Sequence, residues 1–280
     1  MPTRLHEVVG ILNECGPAAR VLAGGTDLIV ELRSGKIAPR FIVEMKRLSD
    51  LPPFIDQIDG CLTISATATM SDIERHETVR DRLPALAEAA SVVGSTQIRN
   101  RATLAGNVCN ASPAADTIPV LAVYGAMIKL LGPNGERLLR VVDFVHGNRK
   151  TALATGEVVT AVKIPLPNQP FGAAFARITR RRGVDLATVS VCCGIDKAGM
   201  TTFAFGAVST RPVLLRKTNG VLADSPASSD TKALDDLILQ ASPVTDVRGS
   251  AEYRLAMLRV LAERAQQRAL ERLADGNKNR

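Results

Sequence analysis

Near the N-terminus, apolar residues recur at the spacing of one helix face. Leu5, Val8, Val9 and Leu12 fall on one side, Thr3 stands where a cap is needed, and Gly16-Pro17 ends the run, which predicts a helix to about residue 15. Val21-Leu22-Ala23 is short enough for a strand. Gly24-Gly25-Thr26-Asp27 follows at once, and Leu28-Ile29-Val30-Glu31-Leu32 resumes helical spacing until Ser34-Gly35. Phe41-Ile42-Val43 predicts a second strand before Asp50-Leu51-Pro52-Pro53, so residues 1–53 read as a compact β-α-β-type unit.

After the Pro-Pro break, Cys61 to Ala66 alternates as a strand does, and Ser71-Asp72-Ile73-Glu74 fits a capping box that starts a helix. A helix over 84–93 leads into the stretch 97–121, rich in small residues and turn formers, which reads as a loop. A hairpin is expected from Ala126-Leu130, the turn Pro133-Asn134-Gly135 and Leu138-Val142, because Asn-Gly supplies the positive φ values of tight turns. A strand from Glu157 to Ile164 closes this second unit before Pro165-Leu166-Pro167. Beyond residue 169, three strands are expected at 171–178, 187–195 and 201–208, followed by helices at 214–222, 230–239 and 250–273. Strands followed by helices imply an α+β layer with helices over one face of a three-stranded antiparallel sheet.

Two stretches carry candidate chemistry. Gly24-Gly25 permits backbone dihedrals closed to other residues and close approach of a ligand, while Thr26 offers a hydroxyl. In the second stretch Thr103, Ala105 and Gly106 are small, Asn107, Asn110 and Ser112 offer short polar groups, and a helix can begin at Asp116-Thr117. Each alone serves as a structural turn more often than as a phosphate site, and the dinucleotide pattern G-x-G-x-x-G is absent from both. Together they suggest a ligand with a pyrophosphate.

In this order, AGGTDL at 23–28 and IRNRATLAGN…SPAADTIPVL at 98–121 resemble the two flavin-binding loops of the FAD-binding (medium) subunit of the molybdenum hydroxylase family, the xanthine dehydrogenase and carbon monoxide dehydrogenase type. The resemblance continues through Asn148-Arg149-Lys150-Thr151, Gly156-Glu157-Val158-Val159, Ile164-Pro165, Phe175-Ala176-Arg177, Arg180-Arg181-Arg182, Asp185-Leu186-Ala187, Gly206-Ala207-Val208 and the run Ser242 to Arg254, in family order over nearly the whole chain.

The resemblance implies an α+β protein: a two-subdomain FAD-binding domain of the PCMH/VAO type over 1–168, divided into about 1–53 and 54–168, then a C-terminal domain over 169–280. It implies FAD contacts from Val21, Leu22, Ala23, Gly24, Gly25, Thr26, Asp27 and Leu28 in the first loop and from Thr103, Ala105, Gly106 and Asn107 in the second. Ala105 departs from the family, which has a glycine there. Asp116 matches a family acidic position expected to hydrogen-bond the cofactor, and it also suits an N-cap of the following helix. Val159 joins the implied set. Phe175 and Arg177 match an aromatic-x-basic position beside the flavin ring, where a cation stabilises the reduced anionic flavin; core Phe and edge-strand Arg is the plainer reading. The family further implies a molybdenum cofactor in a large partner subunit, two [2Fe–2S] clusters in a small one, and an external acceptor such as NAD, a quinone, a cytochrome or dioxygen. An N-heteroaromatic or purine substrate is favoured on family breadth, with carbon monoxide, aldehydes and aryl-thioesters open.

Composition narrows the alternatives. Hydrophobic residues make up 46% of 280 positions, ample for a core, and no apolar run is long enough to span a membrane. The N-terminus MPTRLHEVVGILNECG lacks the unbroken apolar stretch of a signal peptide, so a cytoplasmic product is expected. Five cysteines without a C-x-x-C pair read as reduced thiols, and three scattered histidines argue against metal binding. The net charge of +7 invites a nucleic-acid partner, but with two Tyr, seven Phe and no Trp a stacking platform is poorly supplied, and a basic face for an acidic partner subunit fits better. No Ser-His-Asp arrangement or useful pair of carboxylates is visible. The rivals are a free-standing FAD oxidoreductase of the same fold class, which needs a substrate domain this chain supplies poorly, and a nucleotide-sensing or assembly module that kept the loops and lost the flavin.

Overall fold

The computed structural model describes residues 1–209, 213–217 and 231–278. The chain opens with α1 (Leu5–Cys15), which buries Val8, Val9 and Leu12 as its spacing predicts. Arg4, not Thr3, holds the N-cap position and makes no capping bond; the Thr3 N–H instead donates to the Glu7 carboxylate at 2.7 Å. β1 (Ala19–Leu22), α2 (Leu28–Arg33) and β2 (Phe41–Glu44) follow, and the two strands pair in parallel from Ala19↔Phe41 to Leu22↔Glu44. This is the β-α-β-type unit expected, with the glycine turn between β1 and α2.

β3 (Ile55–Ile58) and β4 (Cys61–Ser65) form a hairpin whose first strand has no strong sequence signal, because three of its four residues are exposed. Helices α3 (Met70–Arg75), α4 (Glu77–Arg82) and α5 (Pro84–Ser91) come next. A capping box does start α3, but two residues earlier than the sequence suggests: Thr69 is the N-cap and Asp72 answers it. Ser71 is buried and donates to Asn100 Oδ1 at 2.6 Å instead. The stretch expected as a loop holds three short helices, α6 (Thr96–Arg99), α7 (Leu104–Asn110) and α8 (Thr117–Val123).

The Asn-Gly turn joins β5 (Met127–Gly132) to β6 (Gly135–Arg140), with Gly135 at φ 99°. A short helix α9 (Val141–Phe144) and a separate two-stranded pair, β7 (Val145–Gly147) and β8 (Lys150–Thr151), follow, and the long β9 (Val158–Pro165) completes a five-stranded antiparallel sheet in the order β3-β4-β9-β5-β6. β9 is central and mostly buried, which explains a strand that is apolar apart from Thr160 and Lys163.

The expected three antiparallel strands are present as β10 (Phe171–Ile178), β11 (Val189–Asp196) and β12 (Thr201–Gly206). A fourth, β13 (Val213–Lys217), pairs with β12 where a helix over 214–222 was expected. Its apolar run serves an edge strand as readily as a helix face, and the open edge of β12 decides. Positions 218–222 of the expected helix lie outside the described residues. α10 (Thr231–Leu239) and α11 (Ala251–Lys278) cover one face of this sheet, burying Leu234, Ile238, Leu258, Leu261, Ala265 and Ala269 against Val191, Cys193 and Phe203. The other face, with Ala173, Phe175, Cys192 and Ala204, joins the core of the preceding sheet. Helix and sheet meet so closely that a Cβ on Gly172 would lie 1.9 Å from Ala269 O. Glu88 of α5 clamps the layers: its carboxylate accepts the Phe175 N–H at 3.0 Å, binds Arg272 at 2.5 Å, and also pairs with Arg268. Among the described residues, no helix is long and apolar enough to cross a membrane.

Candidate functional site

Parallel pairing with β2 holds the end of β1, and the chain then turns through residues 23–27 before α2 begins. Gly25 takes φ 77°, a left-handed conformation that favours glycine. Gly24 is needed for a different reason: its backbone lies against the Arg101 carbonyl and the Ala102 Cα, leaving no room for a side chain. The N–H groups of Gly24, Gly25 and Thr26 make no hydrogen bond within the described residues. Partly buried amides in that state call for an acceptor from a ligand or water.

The second stretch is built from its caps. Ser95 Oγ accepts the Ile98 N–H at 3.3 Å, and Thr103 Oγ1 accepts the Gly106 N–H at 3.0 Å, so Thr103 starts α7. Ala105 lies inside this helix at negative φ, which a methyl group tolerates, so the family's glycine is not required there. Thr117 Oγ1 donates to Asn107 Oδ1 at 2.7 Å and ties α8 to α7. Ala111 ends α7 in the left-handed region, and its carbonyl accepts the Arg149 N–H at 3.1 Å. The Arg149 guanidinium crosses to Glu31 of α2, bridging the two stretches.

Between them lies a cavity of about 550 Å³. It is lined by Val21, Ala23, Gly24, Gly25, Thr26, Asp27 and Leu28 on one side, by Thr103, Ala105, Gly106, Asn107 and Asp116 on the other, and by Val159 and Arg177. Leu22 and Phe175 lie outside this wall. Leu22 sits beneath the turn with its Cδ1 facing Gly25. Phe175 and Arg177 share one face of β10, but Phe175 is two residues deeper and joins the core at 4% exposure, while Arg177 reaches the cavity. The wall also includes Arg20, Glu31, Arg149, Asp185 and Leu186, and the α5 end at Val92, Val93 and Gly94. Arg149 and Asp185-Leu186 fall within motifs visible in the sequence; Val92 to Gly94 carry no signal beyond the end of a helix.

Asp116 and Arg177 form the site's electrostatic centre. Arg177 Nη1 donates to Asp116 Oδ2 at 2.6 Å and to the Asp185 carbonyl at 3.5 Å. Asp116 makes no capping bond to α8, and its Oδ1 is buried without a partner. Burial raises the Asp116 carboxyl to about 6, against the opposing pull of Arg177. Burial also raises Asp27, partly offset by Arg149, and pushes the Cys109 thiol up to about 12. Among the described residues, no group of three His, Cys, Asp or Glu side chains is arranged to hold a metal ion. Free amides on one side, a lone carboxylate oxygen awaiting a donor on the other, and an apolar floor fit a phosphorylated, hydroxyl-bearing ligand with a planar apolar part.

A family model described as the FAD binding domain in molybdopterin dehydrogenase matches residues 1–167, and one described as the CO dehydrogenase flavoprotein C-terminal domain matches residues 174–269. The carbon monoxide dehydrogenase medium chain of Afipia carboxidovorans is 30% identical over 279 residues, covering 97% of this chain and 96% of that one. The xanthine dehydrogenase FAD-binding subunit of Escherichia coli O157:H7 is 28% identical, with 93% and 91% covered. The nicotinate dehydrogenase FAD-subunit of Eubacterium barkeri is 30% identical, with 82% and 80% covered. Among solved structures, the reconstituted CO dehydrogenase from Oligotropha carboxidovorans superposes with a TM-score of 0.87 at 28% identity, covering 97% of this chain and 96% of that chain.

Proposed function

Because the chain belongs to the family of FAD-binding subunits of molybdopterin dehydrogenases, we propose that it carries electrons within a heterotrimer. They arrive from the [2Fe–2S] clusters of a small subunit, after substrate oxidation at the molybdenum cofactor of a large one, and leave for an external acceptor. FAD suits this relay because it exchanges electrons singly or in pairs.

The observation that carries the reading is the cavity itself, a space walled by both loops whose lining includes Gly24, Gly25 and Thr26, with unpaired amides, and Asp116, whose Oδ1 is buried without a partner. Gly24, Gly25 and Thr26 hold the pyrophosphate through their N–H groups, with Val21, Ala23, Asp27 and Leu28 flanking it. Asp116 accepts a hydroxyl of the cofactor's polyol. Arg177 keeps Asp116 ionised and places a fixed positive charge in the cavity, which favours the reduced flavin. Thr103, Ala105, Gly106, Asn107 and Val159 shape the wall. Leu22 supports the turn, and Phe175 seals β10 against the core.

The same reading divides the chain into an FAD-binding domain over 1–168 and a C-terminal domain over 169–280, in keeping with family matches that break between residues 167 and 174. An N-heteroaromatic or purine substrate accords with relatives named for xanthine, nicotinate and caffeine, although a relative of similar identity is named for glyceraldehyde. A cytoplasmic complex with NAD, a quinone, a cytochrome or dioxygen as acceptor completes the proposal.

The test is to purify the chain with its native partners and measure flavin, molybdenum and iron. One FAD and one molybdenum with about four iron atoms is the expected ratio for two [2Fe–2S] clusters. FAD without co-purifying subunits would instead identify a free-standing flavin oxidoreductase.

A further inference from the structure

Arg254, on the first turn of α11, is the largest fully buried side chain among the described residues, at 2% exposure. Its Nη1 donates to Thr188 O at 2.6 Å and also to Ala207 O, and its Nη2 donates to Asp246 Oδ1 at 2.5 Å. An apolar side chain would fill this volume without the cost of burying a charge. It would not hold two carbonyls and a carboxylate at fixed separations, as a planar guanidinium does.

The Thr188 carbonyl belongs to a segment that continues into the cavity wall, and the Ala207 segment is bonded to another that does. The Thr188 N–H donates to Ile178 O at 2.9 Å, closing the loop that carries Asp185 and Leu186. Ala207, at φ 60°, donates its N–H to Pro113 O at 2.7 Å, and its side chain packs with Ala114 and Ala187. Ala114 lines the cavity two residues before Asp116, and the Asp185 carbonyl receives Arg177. Arg254 itself does not line the cavity.

We propose that Arg254 is a positioning residue for the cofactor site, its guanidinium locking the chain at Thr188 and Ala207 and thereby setting where Asp116 and Arg177 stand. Asp246, held by the turn in which its N–H and carbonyl pair with Gly249, orients the guanidinium from the outer side. The proposal rests on the FAD reading for its ligand but not for its mechanics.

Two measurements on the full-length chain test it. In the first, wild type, Arg254→Lys, Arg254→Met, Asp246→Asn and the control Leu258→Ala are titrated with FAD by flavin fluorescence, and the potential of the bound flavin is measured. Leu258 is fully buried in the core between α11 and the sheet. Losing charge-assisted hydrogen bonds predicts about tenfold weaker binding for Arg254→Lys with a shifted flavin potential, since an ammonium does not reproduce the fork. A smaller loss is expected for Asp246→Asn. Leu258→Ala should lower the melting temperature while leaving affinity and potential unchanged.

In the second, the ligand-free chains are exposed to trypsin, and cleavage at Arg180 to Arg182, on the loop that Thr188 closes, is followed by mass spectrometry. Arg254→Lys should be cut there faster than Leu258→Ala of equal or lower melting temperature. Wild-type affinity and potential in Arg254→Lys, or loop cleavage no faster than in the control, would show that Arg254 only stabilises the core. If both Arg254 variants fail to fold, unchanged binding and cleavage in Asp246→Asn overturn the proposal. A wild-type chain that binds no FAD refutes the cofactor reading, and the trypsin comparison still decides the role of Arg254.

Discussion

Gly24 and Arg101 meet backbone to backbone: a Cβ on Gly24 would stand 2.3 Å from Arg101 O and 2.8 Å from the Ala102 Cα. The glycine therefore lets one side of the cavity rest on the other. Gly24→Ala should force the two apart, lowering stability by about 1–3 kcal/mol and weakening FAD binding by at least about tenfold. Thermal unfolding and FAD titration of the purified chain check this, and unchanged FAD affinity would mean that the contact does not shape the cavity. Gly25→Ala should cost about 1–2 kcal/mol through its left-handed φ alone.

Asp116 is expected to make cofactor binding depend on pH. Its carboxyl is raised from 3.8 to about 6, so its contribution to stability is full below 3.8 and is lost as pH rises through 6. A ligand hydroxyl donating to the free Oδ1 favours the ionised form, which lowers the bound-state pKa. FAD binding should therefore tighten between about pH 5 and about pH 7.5, with proton release at the lower end. Asp116→Asn should flatten that profile. Calorimetric titrations in buffers of different ionisation heat measure both effects, and a wild-type affinity independent of pH would remove Asp116 from contact with the ligand.

The Asp116–Arg177 pair is largely withdrawn from solvent, at 7% and 14% side-chain exposure. Arg177→Met strands the carboxylate and should destabilise the chain by about 3–5 kcal/mol at neutral pH. Adding Asp116→Asn should restore part of that loss. A double-mutant cycle by urea unfolding gives the coupling; additivity of the two substitutions would show that the pair contributes no interaction energy.

Ala105 lies in a helix, and nothing at that position calls for a glycine. Ala105→Gly should lower stability by about 0.5–1 kcal/mol and leave FAD affinity no better than wild type. A marked gain in affinity would show that the methyl group crowds the bound cofactor.

Features encoded by neighbouring residues were legible in the sequence. The apolar face of α1, the glycine turn after β1, the Asn134-Gly135 hairpin and the buried run of β9 all follow from spacing within a few positions. The capping box of α3 was read two residues late because Thr69 and Ser71 both precede suitable acids, and the partner that engages Ser71, Asn100, lies far along the chain. The second stretch read as a loop because its helices are too short for periodicity to register. β13 was read as helix because its pairing with β12 is a tertiary fact. In the cavity wall, the glycine turn, Asp116 and Arg177 were legible from motifs. The wall position of Val92 to Gly94 was not, and neither was the burial of Arg254, whose partners lie 66, 47 and 8 positions away.

The tight seating of Gly172 under Ala269 sets an order of events in the cell. A nascent chain that has emerged through Asp116 already owns both sides that face each other across the cavity, but not the strand that carries Arg177. Even after that strand emerges, it lacks the helix it is fitted to, since Arg272 reaches back across 99 positions to the Ala173 carbonyl. The ribosome must deliver α11 before the last wall can set. An incomplete chain that stops short of α11 is therefore expected to hold the cofactor more weakly than the full chain.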